Sequence, residues 1–178
     1  MKEKTGKYFA VDIETSGLDP KKCAILEVAW IILDASLKEL QRESHVVHAS
    51  EYVLSQMNDH VRNMHEKNGL LEEVECGTRI ELVVKRAKAR VDQFFAEGKK
   101  PVLMGSSVHF DRSFLELHAP GMLNGFSHRH VDTNTPMELK LMNRGSRAAS
   151  NHRAMDDIEE SVRRLRSFRN SVLRSKQR

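Results

Sequence analysis

The apolar run AILEVAWIILD, residues 24–34, limits the possible folds more than any other stretch of the chain. It is much shorter than the roughly 20 apolar residues that cross a bilayer. Its composition is typical of a buried strand, with Trp30 predicted in the core. Residues 8–13 precede it and residues 39–49 follow it, and both patterns predict strands. Because the three segments are joined by short polar turns, they predict an antiparallel meander.

The remainder of the chain alternates helical and strand patterns. Helices are predicted over residues 50–57, 60–69, 78–97, 111–118, 136–143 and 152–168, and strands over residues 101–105 and 128–132. A run of strands followed by alternating helices and strands predicts an α/β fold with a mixed sheet flanked by helices. We interpret residues 1–178 as a single domain whose basic C-terminal end, from about residue 169, could fray.

Composition excludes few functions. Hydrophobic residues make up 39% and charged residues 30%, which is ordinary for a globular protein, and the net charge of +4 is compatible with a polyanionic partner. The first ten residues lack the apolar core of a secretory signal, and no membrane segment is predicted. Cys23 and Cys76 do not have the spacing of a metal site. A disulfide between them remains an alternative, but the low cysteine count fits a protein of the reducing cytoplasm better.

Two carboxylates stand at alternate positions of the first strand, in VDIETSG. Asp12 and Glu14 therefore share one face of that strand. Like charges near a core repel each other and resist losing water, so the pair needs a protein cation or a bound metal. Asp111 enters a predicted helix after a small-residue turn, and by itself reads most simply as a helix cap. His152 and the pair Asp156/Asp157 lie at another helix start, where acids are common.

Taken together, these residues point to metal-dependent chemistry. Carboxylates on a strand, at a strand-to-helix turn and at a helix start can converge on one spot. Mg²⁺ and Mn²⁺ prefer oxygen ligands, and two such ions about 3.5–4 Å apart can clamp the attacking and leaving oxygens of a phosphodiester. A histidine suits the proton transfer from the attacking water, since its ordinary pKa of about 6.5 lies near working pH.

The motifs VDIETSGLDP, GSSVHFDRSFL and HRAMDD resemble those of the DEDD exonucleases, in the branch with a histidine base. Within that superfamily the chain is most similar to the oligoribonucleases, and the similarity extends over nearly all of it. The resemblance implies a ribonuclease-H-like fold with a five-stranded mixed sheet and two divalent ions, Mg²⁺ or Mn²⁺, per site. It also implies 3′-to-5′ hydrolysis of very short single-stranded RNA, dinucleotides especially, to nucleoside 5′-monophosphates by a cytoplasmic homodimer.

Carried over residue by residue, the resemblance assigns roles to particular positions. The metal-site carboxylates are Asp12, Glu14, Asp111 and Asp157, and the general base is His152. Family spacing selects Asp157 and leaves Asp156 without a defined role. The positions matched to substrate contacts are Leu18 between bases, Ser107, His65 at the 5′ phosphate, His60, and His128 with Arg129 in a segment facing the partner subunit's site.

The chain departs from the family at three positions. It has His60 where the family usually has tryptophan, His128 where it has tyrosine, and Ser106 where it has asparagine. Stacking of a base on an aromatic side chain is worth roughly 1–3 kcal/mol, and imidazole offers less area than indole. The sequence therefore predicts the same chemistry with altered affinity or length preference. Two alternatives remain: an exonuclease of longer single-stranded DNA or RNA, and a catalytically inactive nucleic-acid-binding module.

Overall fold

The computed structural model describes residues 4–141 and 151–175 and contains one five-stranded mixed sheet. Its strands are β1 (Gly6–Thr15), β2 (Ile25–Asp34), β3 (Glu39–Val46), β4 (Val102–Gly105) and β5 (His130–Asp132). Their order across the sheet is β3-β2-β1-β4-β5. The pairs β1/β2 and β2/β3 are antiparallel, whereas β1/β4 and β4/β5 are parallel. The predicted meander and mixed sheet are thus confirmed.

Helices pack on both faces of the sheet. They are α1 (Glu51–Ser55), α2 (Asp59–Lys67), α3 (Leu70–Glu73), α4 (Ile80–Phe94), α5 (Val108–His118), α6 (Thr135–Glu138) and α7 (Ala154–Ser175). Helix α3 and the 3-10 turn after it were not predicted as helical segments, and α6 is shorter than predicted. Part of the predicted helix over residues 136–143 lies outside the described residues.

The boundaries of α7 differ from the prediction at both ends. The helix begins at Ala154 rather than at residue 152, because His152 has a φ of 49°, in the left-handed region that a right-handed helix cannot use. It continues to Ser175, beyond the predicted end at Phe168, because apolar residues keep helical spacing there and contribute with Tyr8 to a groove beside the sheet.

The period of two along β1 and β2 divides the core between the two faces. Phe9, Trp30 and their alternate neighbours pack with α4 and α5 in the larger cluster. Ala10, Ala29 and their alternate neighbours pack with Ala154 and other residues of α7. Because Asp12 and Glu14 continue the second series, they lie on the face that α7 covers.

The structure bears on three expectations: the state of the cysteines, membrane-spanning helices and the burial of Trp30. Cys23 and Cys76 are free thiols, so the disulfide that the sequence left open does not form. Over residues 4–141 and 151–175, none of the helices combines the length and apolar character needed to cross a membrane. Trp30 is fully buried and stacks on Phe9, as its place in the apolar run predicted.

Candidate active site

Three carboxylates from opposite ends of the chain meet where β1 passes under α7. Asp12 and Glu14 come from β1, and Asp157 comes from the first turn of α7. One oxygen of each lies within 4.8 Å of the others. Glu14 is buried, while Asp12 and Asp157 are partly exposed. The structure therefore brings together three of the four carboxylates that the sequence analysis selected.

Asp111, the fourth predicted carboxylate, approaches the same strand from α5. It lies in the first turn of that helix, as predicted, and is 3% exposed. Its Oδ1 accepts a hydrogen bond from the Ile13 amide at 3.1 Å. Strand β4 pairs with β1 only as far as Ala10, so this amide lies beyond the parallel ladder and Asp111 satisfies it. Asp111 thus caps the open end of β1 beside the three-carboxylate cluster.

The adjacent acids Asp156 and Asp157 point in different directions. Asp157 belongs to the carboxylate cluster. Asp156 is exposed, accepts from the Asn151 side chain at 3.2 Å, and lines a different groove with Glu159 and Arg163. Only Asp157 of the two lies at the cluster, because successive residues of a helix lie about 100° apart, and its role as a ligand stays a prediction.

His152 lies just before α7, at the edge of an open cleft of about 700 Å³. Its exposed side chain lines this cleft together with residues from α2, among them His60 and Lys67. The Asn68 side chain donates a hydrogen bond to the His152 carbonyl oxygen, which ties the left-handed residue to the end of α2. His152 is thus held by its backbone at a solvent-accessible opening.

Burial, together with the charges of neighbouring acids, raises the pKa values of these carboxylates. Burial, then the charges of Asp111, Glu14 and Asp157, raise the pKa of Asp12 well above its ordinary value. Burial, followed by Asp157 and Glu27, raises the pKa of Glu14 to about 9, although Arg153 opposes this. Burial raises the pKa of Asp111 to about 7. Several acidic groups thus share one partly buried place, and their hard oxygen donors fit a divalent cation such as Mg²⁺ or Mn²⁺.

These raised pKa values predict an unusual pH dependence of stability. Glu14 and Asp111 have ordinary pKa values of 4.5 and 3.8, against about 9 and about 7 in the folded protein. Between the ordinary and the raised pKa of each group, the folded state binds more protons than the unfolded state. The free energy of unfolding therefore falls as pH rises, by at most about 1.4 kcal/mol per pH unit for each group. Carboxyls with lowered pKa values, such as Asp34 and Glu39, act in the opposite direction only at more acidic pH.

We therefore expect the melting temperature in EDTA to fall between about pH 6.5 and about pH 8, above the window in which the lowered pKa of the buried His65 acts in the opposite direction. Excess Mg²⁺ or Mn²⁺ should raise it most at the upper end, where fewer protons need to be displaced from the carboxylates. Thermal melts at several pH values, with and without the cation, measure both effects. A melting temperature in EDTA that rises across this range would contradict the carboxylate electrostatics described here.

A fifth acid, Glu27, was not among the predicted site residues. It is 2% exposed and stands opposite Glu14 in the β1/β2 register. Arg153 donates to it from Nε at 3.1 Å and from Nη2 at 3.2 Å. The available signal was a carboxylate inside the apolar run of residues 24–34, where an unpaired charge is costly. That signal predicts a partner but does not identify it.

His65 is predicted at the 5′ phosphate, and the structure buries its ring behind Glu14. The residue is 0% exposed; Nε2 donates to the Thr15 carbonyl at 3.0 Å and lies 3.9 Å from Oε2 of Glu14. Burial lowers the pKa of its imidazole. In this position the ring supports the end of β1 through Thr15. Its contact with the 5′ phosphate of a substrate stays a prediction.

The other predicted substrate contacts are distributed around the opening. Leu18 is 82% exposed on the turn after β1, and His60 lies on the cleft. Ser107 joins β4 to α5 with a φ of 55°, and its hydroxyl accepts from the Asn134 side chain at 3.1 Å. His128 and Arg129 are exposed just before β5, on the edge of the sheet. Their roles toward a substrate or a partner subunit stay predictions.

Comparison with known proteins gives a consistent family. Residues 9–165 match the family described as "Exonuclease". The oligoribonuclease of Haemophilus influenzae strain PittGG is 31% identical over 171 residues, covering 92% of this chain and 93% of that protein. The oligoribonuclease of Photobacterium profundum is 34% identical over 170 residues, covering 91% and 93%. The mitochondrial oligoribonuclease of Mus musculus is 31% identical over 176 residues, covering 93% and 73%.

Solved structures share the fold at much lower identity. Escherichia coli exonuclease I in complex with a dT13 oligonucleotide superposes with a TM-score of 0.63 at 14% identity, covering 96% of this chain. Its zinc-bound complex with single-stranded DNA gives 0.65 at 12% identity, covering 92% of this chain. The chain spans about two-fifths of the exonuclease I chain, 42% and 40% in these two structures.

Proposed function

Because the chain belongs to the exonuclease family, and within it to the oligoribonucleases, we propose that it degrades very short RNA from the 3′ end. The carboxylate cluster of Asp12, Glu14 and Asp157 carries the proposal. A cluster of carboxylate oxygens within reach of one another suits metal-assisted hydrolysis of a phosphodiester. The expected products are nucleoside 5′-monophosphates, and dinucleotides are the preferred substrate.

In this proposal the carboxylates hold the metal and His152 moves the proton. Asp12, Glu14 and Asp157, with Asp111 beside them, hold two divalent ions, Mg²⁺ or Mn²⁺. Bound cations supply charge neutralisation at the phosphate and at the leaving 3′ oxygen. His152 accepts the proton from the attacking water at the cleft opening, a role that suits an exposed imidazole. The buried ring of His65 lies beside Glu14 and donates to the Thr15 carbonyl, which supports the end of the strand that carries Glu14.

Substrate contacts complete the proposal. Leu18 is sufficiently exposed to insert between two bases, and Ser107 stands between the first turn of α5 and β5. His60 offers an imidazole face on the cleft for a base to stack on. His128 and Arg129 lie at the β5 edge, where we propose that a second subunit docks in a homodimer so that each supplies this segment to the other's site. We further propose that residues 1–178 form a single exonuclease domain and that the protein is cytoplasmic.

A length series tests this function. We expect the 5′-labelled RNA dinucleotide to be hydrolysed faster than RNAs of five and twenty nucleotides, and faster than DNA of matched length. Activity should require Mg²⁺ or Mn²⁺ and disappear in EDTA, since the carboxylates cannot neutralise the phosphate themselves. Chromatography of the products should show 5′-monophosphates. Faster cleavage of the longer strands would indicate a general exonuclease, and binding without cleavage would indicate an inactive nucleic-acid-binding module.

A further inference from the structure

Glu27 is the buried carboxylate that the proposed reaction does not use. It lies on β2, on the same sheet face as the metal-site carboxylates, and is 2% exposed. Its two oxygens accept from three residues on two sides. Oε1 accepts from the Ser44 hydroxyl at 2.9 Å, and the Ala154 amide donates to Oε2 at 3.1 Å. The Arg153 guanidinium donates to both oxygens. Both carboxylate oxygens of Glu27 therefore accept hydrogen bonds from groups inside the protein.

The contacts from Arg153 and Ala154 converge on the start of α7, whereas Ser44 holds Glu27 from β3. Ala154 is the first residue of that helix, and its amide is one of the donors that a helix cannot satisfy internally. The Arg153 carbonyl in turn accepts from the Asp157 amide at 3.1 Å. Arg153 Nη1 also donates to Oε1 of Glu73 on α3 at 2.8 Å, so Arg153 is bound by α3 as well as by β2. His152 is the preceding residue, so neither His152 nor Asp157 can shift without moving these bonds.

We propose that Glu27 is a positioning residue: from β2 it fixes the start of α7 so that Asp157 meets Asp12 and Glu14 and His152 stays at the cleft opening. This inference rests on the proposed function. A carboxylate here faces Glu14 across the strand pair, which is an unfavourable position for a second negative charge. The Arg153 guanidinium and the Ala154 amide offset that repulsion by hydrogen bonds to the charged form. The residue thereby ties the metal-binding strand to the element that carries the base.

Replacing Glu27 with methionine tests the proposal, because methionine keeps the length of the side chain and removes both acceptors. We expect Glu27→Met to lower kcat for the dinucleotide about 10- to 100-fold, with KM changed less than about threefold. Glu27→Gln keeps one acceptor oxygen and should recover part of kcat. Because Asp157 moves with the helix start, half-saturation by Mn²⁺ in calorimetry should rise about tenfold in Glu27→Met.

The matched control is Arg42→Gln. Arg42 on β3 pairs with Glu39 on the same strand and with Glu159 of α7. Arg42→Gln therefore removes an ion pair between a strand and α7 that lies away from His152. Its kcat, KM and Mn²⁺ affinity should stay within about twofold of wild type. Equal losses in Glu27→Met and Arg42→Gln, or unchanged kcat and Mn²⁺ affinity in Glu27→Met, would overturn the proposal. If wild type cleaves no RNA, the proposed function fails, and the Mn²⁺ titration still decides the role of Glu27.

Discussion

Replacing Asp12 with asparagine is expected to reduce dinucleotide hydrolysis by at least about 1,000-fold while leaving the metal-free protein as stable as wild type or more so. Asparagine keeps the size of the side chain but removes a charge that holds the cation, and metal assistance is worth several kcal/mol. In the absence of metal that charge is unfavourable, because burial and the charges of Asp111, Glu14 and Asp157 oppose it. Activity and stability should therefore change in opposite directions.

Initial rates at saturating Mg²⁺ and thermal melts in EDTA measure the two effects. The matched control is Asp156→Asn, which neutralises the exposed acid next to the candidate ligand Asp157. Its activity should stay within about twofold of wild type, as for a surface substitution. If Asp156→Asn were as inactive as Asp12→Asn, the assignment of Asp157 would be wrong.

Replacing His152 with asparagine is expected to lower kcat by about 10²- to 10⁴-fold, the usual contribution of a general base. Asparagine is the informative replacement, because it tolerates the left-handed backbone that this residue adopts at a φ of 49°. The hydrogen bond from the Asn68 side chain to the backbone carbonyl of residue 152 can also remain. The substitution then removes the imidazole without displacing the start of α7.

Calorimetry with Mn²⁺ separates a chemical role from a structural one. His152→Asn should bind the cation within about threefold of wild type, since the carboxylates are unchanged. His60→Asn alters another cleft imidazole and should raise KM with little effect on kcat. A matching loss of Mn²⁺ affinity in His152→Asn would show that the residue organises the site instead of transferring the proton.

Short-range patterns predicted much of this molecule. The period of two in β1 placed Asp12 and Glu14 on one face, and the turn before α5 placed Asp111 in a first helical turn. Such features depend on neighbours within a few residues, which a sequence displays directly. The comparisons confirm the exonuclease family and the ribonuclease-H-like fold, which the three ordered motifs had predicted.

Three features that depend on distant contacts were not predicted. The bonds between Glu27 and Arg153 join residues 126 positions apart, so the pattern around Glu27 shows a buried carboxylate without its partner. The left-handed backbone of His152 breaks a helix that the side-chain pattern alone would continue. Likewise, the burial of His65 depends on how α2 packs against the end of β1, which the sequence of α2 does not specify.

The assembly of the site from β1 and α7 has a consequence during protein synthesis. A ribosome makes the strand with Asp12 and Glu14 well before the helix with Asp157. A growing chain that has not reached Ala154 already carries Asp12, Glu14 and Asp111, yet it lacks Asp157. Because β1 and α7 must dock together, a nascent or prematurely terminated chain without α7 has no complete carboxylate cluster near messenger RNA.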